Sequence, residues 1–137
     1  MDVLFTEVAV VRGREARTVS TSGHIDLPLD THVALGGNGQ GTNPEEIFAA
    51  GYAACFSGML AFIARQRKVD VSDAQVSAEV SFVKEDDGGF GIAATIRVGL
   101  PEHLQGGVGA DLVVKTHAAC PYSKAISGNV PVEVVVE

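Results

Sequence analysis

The hydrophobic pattern of this chain shifts between alternation and unbroken apolar runs, and each shift predicts an element. Residues 3–11 alternate, with Val3, Phe5, Val8 and Val10 among the apolar members, as a half-exposed strand would. Gly13 and Gly23 punctuate two further short segments, residues 17–21 and 24–29. The glycine-rich stretch 36–41 is expected to be a flexible loop. It leads into Thr42-Asn43-Pro44-Glu45-Glu46, a strong helix start. Asn43 fits the N-cap, Pro44 the first helical position and Glu46 the capping-box position.

The run that follows, residues 47–63, carries no charge at all. A helix apolar on every side is expected to be buried on every side. The run falls slightly short of the ~20 residues that a membrane span requires. Glu45-Glu46 before it and Arg65-Gln66-Arg67-Lys68 after it suit the two ends of a helix dipole. These features predict a central core helix and not a membrane helix.

Two strand-like runs follow, residues 74–84 and 90–100, joined by Glu85-Asp86-Asp87-Gly88-Gly89. That is the signature of a β-hairpin with a charged turn. From Pro101 to Ala119 a second helix is expected, weakened at its start by Gly106, Gly107 and Gly109. Residues 130–136 alternate valine with proline or glutamate and predict a last strand. The order strands, helix, hairpin, helix, strand predicts an α+β fold, with antiparallel sheet packed around the buried helix. A chain of 137 residues without internal repeats is expected to form a single domain, 1–137.

The composition, 46% hydrophobic and 20% charged, is that of a folded protein. The net charge of −7 makes phosphate backbones and anionic lipid poor partners, so neither nucleic acid nor membrane is expected. The first residues read as a strand flanked by charges, not as a secretory signal, and the expected location is cytoplasmic. In a reducing compartment the two cysteines form either a redox pair or two inert core thiols.

Cys55 lies deep in the apolar helix, where a thiol without help has a raised pKa and is inert. Activation requires a cation, and this helix supplies none. Cys120 stands in His117-Ala118-Ala119-Cys120-Pro121-Tyr122-Ser123. Pro121 is expected to end the helix and turn the chain, leaving Cys120 room to move, and His117, one turn earlier, is placed to hydrogen-bond the thiol. A zinc site built from Cys55, Cys120 and His117 lacks the close cysteine or histidine pairs that mark such sites, and no metal is expected. The loop 36–41 precedes a helix N-terminus, but no P-loop lysine follows and Glu45-Glu46 would repel an anion.

Thr42-Asn43-Pro44-Glu45, running into Phe48-Ala49-Ala50-Gly51-Tyr52-Ala53-Ala54-Cys55-Phe56, then Cys120-Pro121-Tyr122-Ser123-Lys124-Ala125 and Gly128-Asn129, resembles the organic hydroperoxide resistance proteins. These form the Ohr branch of the Ohr/OsmC group, and Tyr122 after Cys120-Pro121 favours that branch over the OsmC one. The resemblance spans nearly the whole chain. It implies an OsmC-like fold in an intertwined homodimer with active sites at the subunit interface. It also implies a peroxidase that reduces fatty-acid and other organic hydroperoxides to alcohols. Cys55 would be peroxidatic and Cys120 resolving, with no bound cofactor. An external dithiol, typically the lipoyl group of a lipoylated protein, would recycle the disulfide. The family's catalytic arginine falls on Arg14, aligned through Arg17-Thr18-Val19-Ser20-Thr21-Ser22-Gly23, and its catalytic glutamate on Glu45. Val11-Arg12 departs from the family's more glycine-rich start, which leaves Arg12 and Arg17 as alternatives.

One constraint follows from helix geometry. On an unbroken helix, Glu45 and Cys55 lie ~15 Å apart at 1.5 Å rise per residue, too far for one arginine to touch both. Either the helix breaks, near Gly51, or Arg14 and Glu45 reach the thiol from a partner subunit.

Overall fold

The computed structural model describes all 137 residues, which divide into two compact units, Met1–Pro44 and Glu45–Glu137. In the first unit three short strands form an antiparallel sheet in the order β1-β2-β3: Ala9–Arg12, Arg17–Ser20 and Asp26–Pro28. The strand expected over residues 3–11 is only Ala9–Arg12, because β1 is limited to the span that β2 pairs with, Ala9 opposite Ser20 to Arg12 opposite Arg17. The turn from residue 13 to 16 is closed by the Arg12 carbonyl, which accepts from the amides of Glu15 and Ala16 at 3.1 Å each. Every residue of β1 is exposed, as are Val3, Leu4, Phe5 and Val8 before it. This unit thus carries an apolar surface with almost no core beneath it; Thr18 and Thr42 are its buried residues.

The second unit opens with α1, Pro44–Gln66. Pro44 is its first residue, where a missing amide hydrogen costs nothing. The helix is continuous through Gly51, so the expected break does not occur. By length and composition α1 could cross a membrane. Here Tyr52, Phe56, Leu60 and Ala64, four residues apart, form a buried stripe, each large side chain contributing about 1.5–3 kcal/mol of burial. The expectation of burial on every side is corrected, since Ala50, Ala54, Ser57, Gly58 and Phe62 face outward. Most of these are small, so little apolar area is bared except at Phe62, 51% exposed.

The hairpin is β4, Gln75–Lys84, and β5, Phe90–Gly99, paired antiparallel from Gln75 opposite Gly99 to Lys84 opposite Phe90. Its turn closes where predicted. Ala94, Ile96 and Val98 alternate into the core, where Val76, Ala78 and Val80 of β4 join them. Helix α2, Gly107–Ala119, adds Leu112 and Val113 to that core. Gly109 is there for space: a Cβ would stand 2.0 Å from the Leu104 carbonyl oxygen.

Two features correct the sequence-based picture. Pro121 does not merely end a helix; it begins another, α3, Pro121–Ile126, with Cys120 as the joint. The last strand, β6, Val132–Val136, runs parallel to β5, so this sheet is mixed and not wholly antiparallel. The cause is the connection: α2 and α3 carry the chain back along the sheet before β6 starts, the crossover that a parallel neighbour requires. The α+β architecture stands.

Candidate active site

Three helices meet at the cysteines. Cys55 stands in the middle of α1, half-buried, and Cys120 links α2 to α3, wholly buried. Both thiols are free, with their sulfurs 3.5 Å apart and the Cys120 thiol donating to Cys55. The expectation that Cys120 has room to move is corrected. Its amide donates to the Thr116 carbonyl at 2.8 Å and its carbonyl accepts from the Lys124 amide at 2.9 Å, because each flanking helix needs a partner for its terminal group. Little movement is needed: a disulfide measures ~2.05 Å, so closure requires about 1.5 Å.

The surroundings of Cys55 are apolar and aromatic. The rings of Phe48, Tyr52 and Tyr122 lie together, Tyr52 stacked on Tyr122 at 6.0 Å and Phe48 edge-on to Tyr52 at 6.1 Å. Burial pushes the Cys55 thiol up, and the neighbouring Cys120 adds to that, while the Tyr122 backbone amide donates to the sulfur and offsets part of it. Burial likewise raises Tyr52, against the opposing pull of its bond to Ser123. No group of this unit holds the thiol down with a positive charge; none figures among the influences on Cys55.

The hydrogen bond from His117 to the thiol that its spacing predicts is not formed, and this corrects the expectation. Its Nδ1 lies instead 2.9 Å from the hydroxyl of Ser123, which α3 presents to it. Ser123 Oγ also meets the Tyr52 hydroxyl at 2.7 Å, both residues being buried. His117 was singled out from the sequence for the thiol and not for Ser123, while Tyr52 and Ser123 were not read as site residues. Their signal was spacing: each stands three positions from a cysteine, one helical turn away.

Arg14 and Glu45 are not joined to this cluster by their own elements. Arg14 is exposed on the turn between β1 and β2. Of the neighbouring arginines, Arg12 pairs with Glu15 at 3.6 Å and Arg17 with Asp26. Arg14 makes no ion pair, which leaves its guanidinium free for another role. Glu45 is the second residue of α1, and the continuous helix sets it ~15 Å from Cys55. It lines a cleft of about 810 Å³ together with Phe82, Phe90, Ile92, Asn129 and Pro131, and neither cysteine reaches that cleft. No set of three or more histidine, cysteine, aspartate or glutamate side chains is gathered for a metal ion.

The profile of the OsmC-like protein family matches residues 37–135. The organic hydroperoxide resistance protein of Xanthomonas axonopodis pv. citri (strain 306) is 43% identical over 137 aligned residues, covering 95% of this chain and 92% of its own. The crystal structure of OhrB of Bacillus subtilis, an organic hydroperoxide resistance protein, superposes with a TM-score of 0.85 at 37% identity, covering 98% of this chain and all of its own. An organic hydroperoxide resistance protein from Elizabethkingia anophelis gives 0.90 at 32% identity, covering 100% and 99%. The chain belongs to the OsmC-like family, within its organic hydroperoxide resistance branch.

Proposed function

We propose that this protein is a thiol peroxidase that reduces organic hydroperoxides, fatty-acid hydroperoxides among them, to alcohols in defence against oxidative stress. The observation that carries the reading is the pair of free sulfurs at 3.5 Å, one accessible and one sealed. The Cys55 thiolate attacks the terminal peroxide oxygen. The O–O bond breaks, the alkoxide takes a proton and leaves as alcohol, and Cys55 becomes a sulfenic acid. The Cys120 sulfur then attacks Cys55, its proton leaves with the hydroxyl as water, and a disulfide remains. An external dithiol, a protein-bound lipoyl group by the family resemblance, reduces the disulfide by exchange and becomes a cyclic disulfide itself. No bound cofactor takes part.

The thiol, held up by burial, needs a cation that is charged at every working pH, and a guanidinium answers that need. We assign it to Arg14, the unpaired arginine of the β1–β2 turn, with Glu45 orienting it through a two-point pair. Because α1 is unbroken, the pair is supplied across a homodimer, with both subunits building each site. The bare apolar residues of the first unit, and Phe62 on the outward face of α1, support such a partner. On this reading residues 1–137 act as one domain in the cytosol, without nucleic acid or membrane. The aromatic wall around Cys55 gives preference to alkyl peroxides over hydrogen peroxide, at roughly 0.8 kcal/mol per buried methylene.

Mass measurement after one equivalent of organic hydroperoxide tests the assignment. The native protein is expected to lose two hydrogens as a Cys55–Cys120 disulfide, and Cys120→Ser to stop at a sulfenic acid. Full peroxide consumption by Cys55→Ser would defeat the proposal.

A further inference from the structure

Ser123 Oγ lies within hydrogen-bond distance of Tyr52 on α1 and of His117 on α2, while Ser123 itself sits on α3. These are the three helices that place the two sulfurs. Tyr52 is one turn before Cys55, His117 one turn before Cys120, and Ser123 one turn after it. Ser123 and Tyr52 are shut away from water, 4% and 0% exposed, so their hydrogen bonds have no solvent to replace them. One hydroxyl thus joins two partners, the Tyr52 hydroxyl at 2.7 Å and His117 Nδ1 at 2.9 Å, and a serine hydroxyl can donate to one while accepting from the other. The imidazole in turn lies tilted against Phe56, at 6.5 Å between ring centres, next in sequence to Cys55.

We infer that Ser123 is a positioning residue for the resolving step, one hydroxyl tying α1, α2 and α3 so that the Cys120 sulfur stays within closing distance of Cys55. The inference rests on the peroxidase reading, and it concerns the second step alone. Attack on the peroxide involves Cys55 and groups on its open side. Disulfide closure depends instead on the relative placement of α1 and the α2–α3 joint. A displacement of about 1 Å between reacting atoms costs roughly a hundredfold in rate. A sulfenic acid that waits longer is open to a second oxidation, to the sulfinic acid.

Ser123→Ala and Tyr52→Phe test this by separate routes, each removing one oxygen from the knot and neither touching a cysteine. Stopped-flow mixing with an organic hydroperoxide would follow sulfenic acid formation, and mass spectrometry under quench would follow disulfide closure. In Ser123→Ala the first step is expected to keep its native rate within about twofold, and in both variants closure slows roughly ten- to a hundredfold. Sulfinic acid on Cys55 is expected at lower peroxide doses than in the native protein. Closure at the native rate in both variants would overturn the inference, and so would an equal loss in both steps, which marks general loosening of the fold. If native protein itself forms no sulfenic acid, the peroxidase reading fails first and this inference falls with it.

Discussion

The sulfur of Cys120 stands 3.5 Å from that of Cys55 while both remain thiols, and 65 positions of sequence separate them. Oxidation therefore closes a long loop by bringing the two sulfurs about 1.5 Å closer. Joining residues so far apart restricts the unfolded chain, which is worth about 2–4 kcal/mol. The oxidised protein is expected to unfold at higher urea concentration than the reduced protein, with similar far-ultraviolet circular dichroism before the transition. Cys120→Ser should show no difference between oxidising and reducing buffers. Equal midpoints for the two native redox forms would show that the bond does not form in the folded state.

Removal of the guanidinium should appear in the pH dependence of the first step. Burial raises the Cys55 thiol above the ordinary value for cysteine, with the Tyr122 amide pulling the other way. A raised value means that the protonated, unreactive form prevails at neutrality, and that thiolate grows as pH rises. In Arg14→Ala the rate of sulfenic acid formation is expected to fall at neutral pH and to climb about tenfold per pH unit until the thiol ionises. In the native protein that rise should be complete at lower pH. Thiolate absorbance near 240 nm, titrated in both proteins, reads the same shift directly. Matching titration curves would remove Arg14 from the mechanism.

Much of the fold was legible because local chemistry decided it. The hairpin carried its own alternation and its own turn, and Asn43-Pro44 marked the start of α1 to the residue. What was not legible depended on long-range placement. Pro121 reads as a terminator and as a first helical residue with equal local warrant; only the sequel from Tyr122 to Ile126 makes it the latter. The direction of β6 lies in its connection, not in its valines. An uncharged helix implied burial on all sides, yet Ala50, Ala54 and Gly58 are bare. At the site, the two cysteine motifs pointed to the sulfurs that meet. The hydroxyl of Ser123 escaped notice because nothing in the sequence states which faces of α1, α2 and α3 oppose one another.

Gly51 brings the aromatic wall close to α1. A Cβ there would stand 3.0 Å from the Tyr122 hydroxyl and 3.3 Å from its ring, so the ring must shift by a few tenths of an ångström to admit one. Tyr122 is 40% exposed and has somewhere to go. Gly51→Ala is therefore expected to fold, with a gain in helix propensity of about 1 kcal/mol set against the disturbed contact. The cost should fall on substrates that lean on the ring. Turnover of tert-butyl hydroperoxide is expected within about twofold of native, while that of the bulkier cumene hydroperoxide falls severalfold through its KM. An unchanged ratio between the two substrates would mean that the ring takes no part in recognition.

Lys68 holds the left-handed conformation, φ +56°, just beyond the C-terminus of α1. The Val69 amide donates back to the Ala64 carbonyl at 2.9 Å and the Lys68 amide to Arg65 at 3.2 Å. These two bonds form the Schellman arrangement that satisfies the last carbonyls of a helix, with Val69 turned into the core behind it. Any residue with a Cβ is strained in that conformation, by roughly 1–2 kcal/mol, and glycine is not. Glycine also gives the unfolded chain more freedom, which offsets part of the relief. Lys68→Gly is accordingly expected to stabilise the protein by about 0.5–1 kcal/mol, read as a higher urea midpoint with an unchanged slope. Lys68→Val, β-branched at the same left-handed position, should lower the midpoint. Peroxide consumption by Lys68→Gly should match native protein, since the substitution relieves the end of α1 and leaves Cys55 on the same continuous helix. A lower midpoint for the glycine variant would show that the lysine makes a contact outweighing its strain.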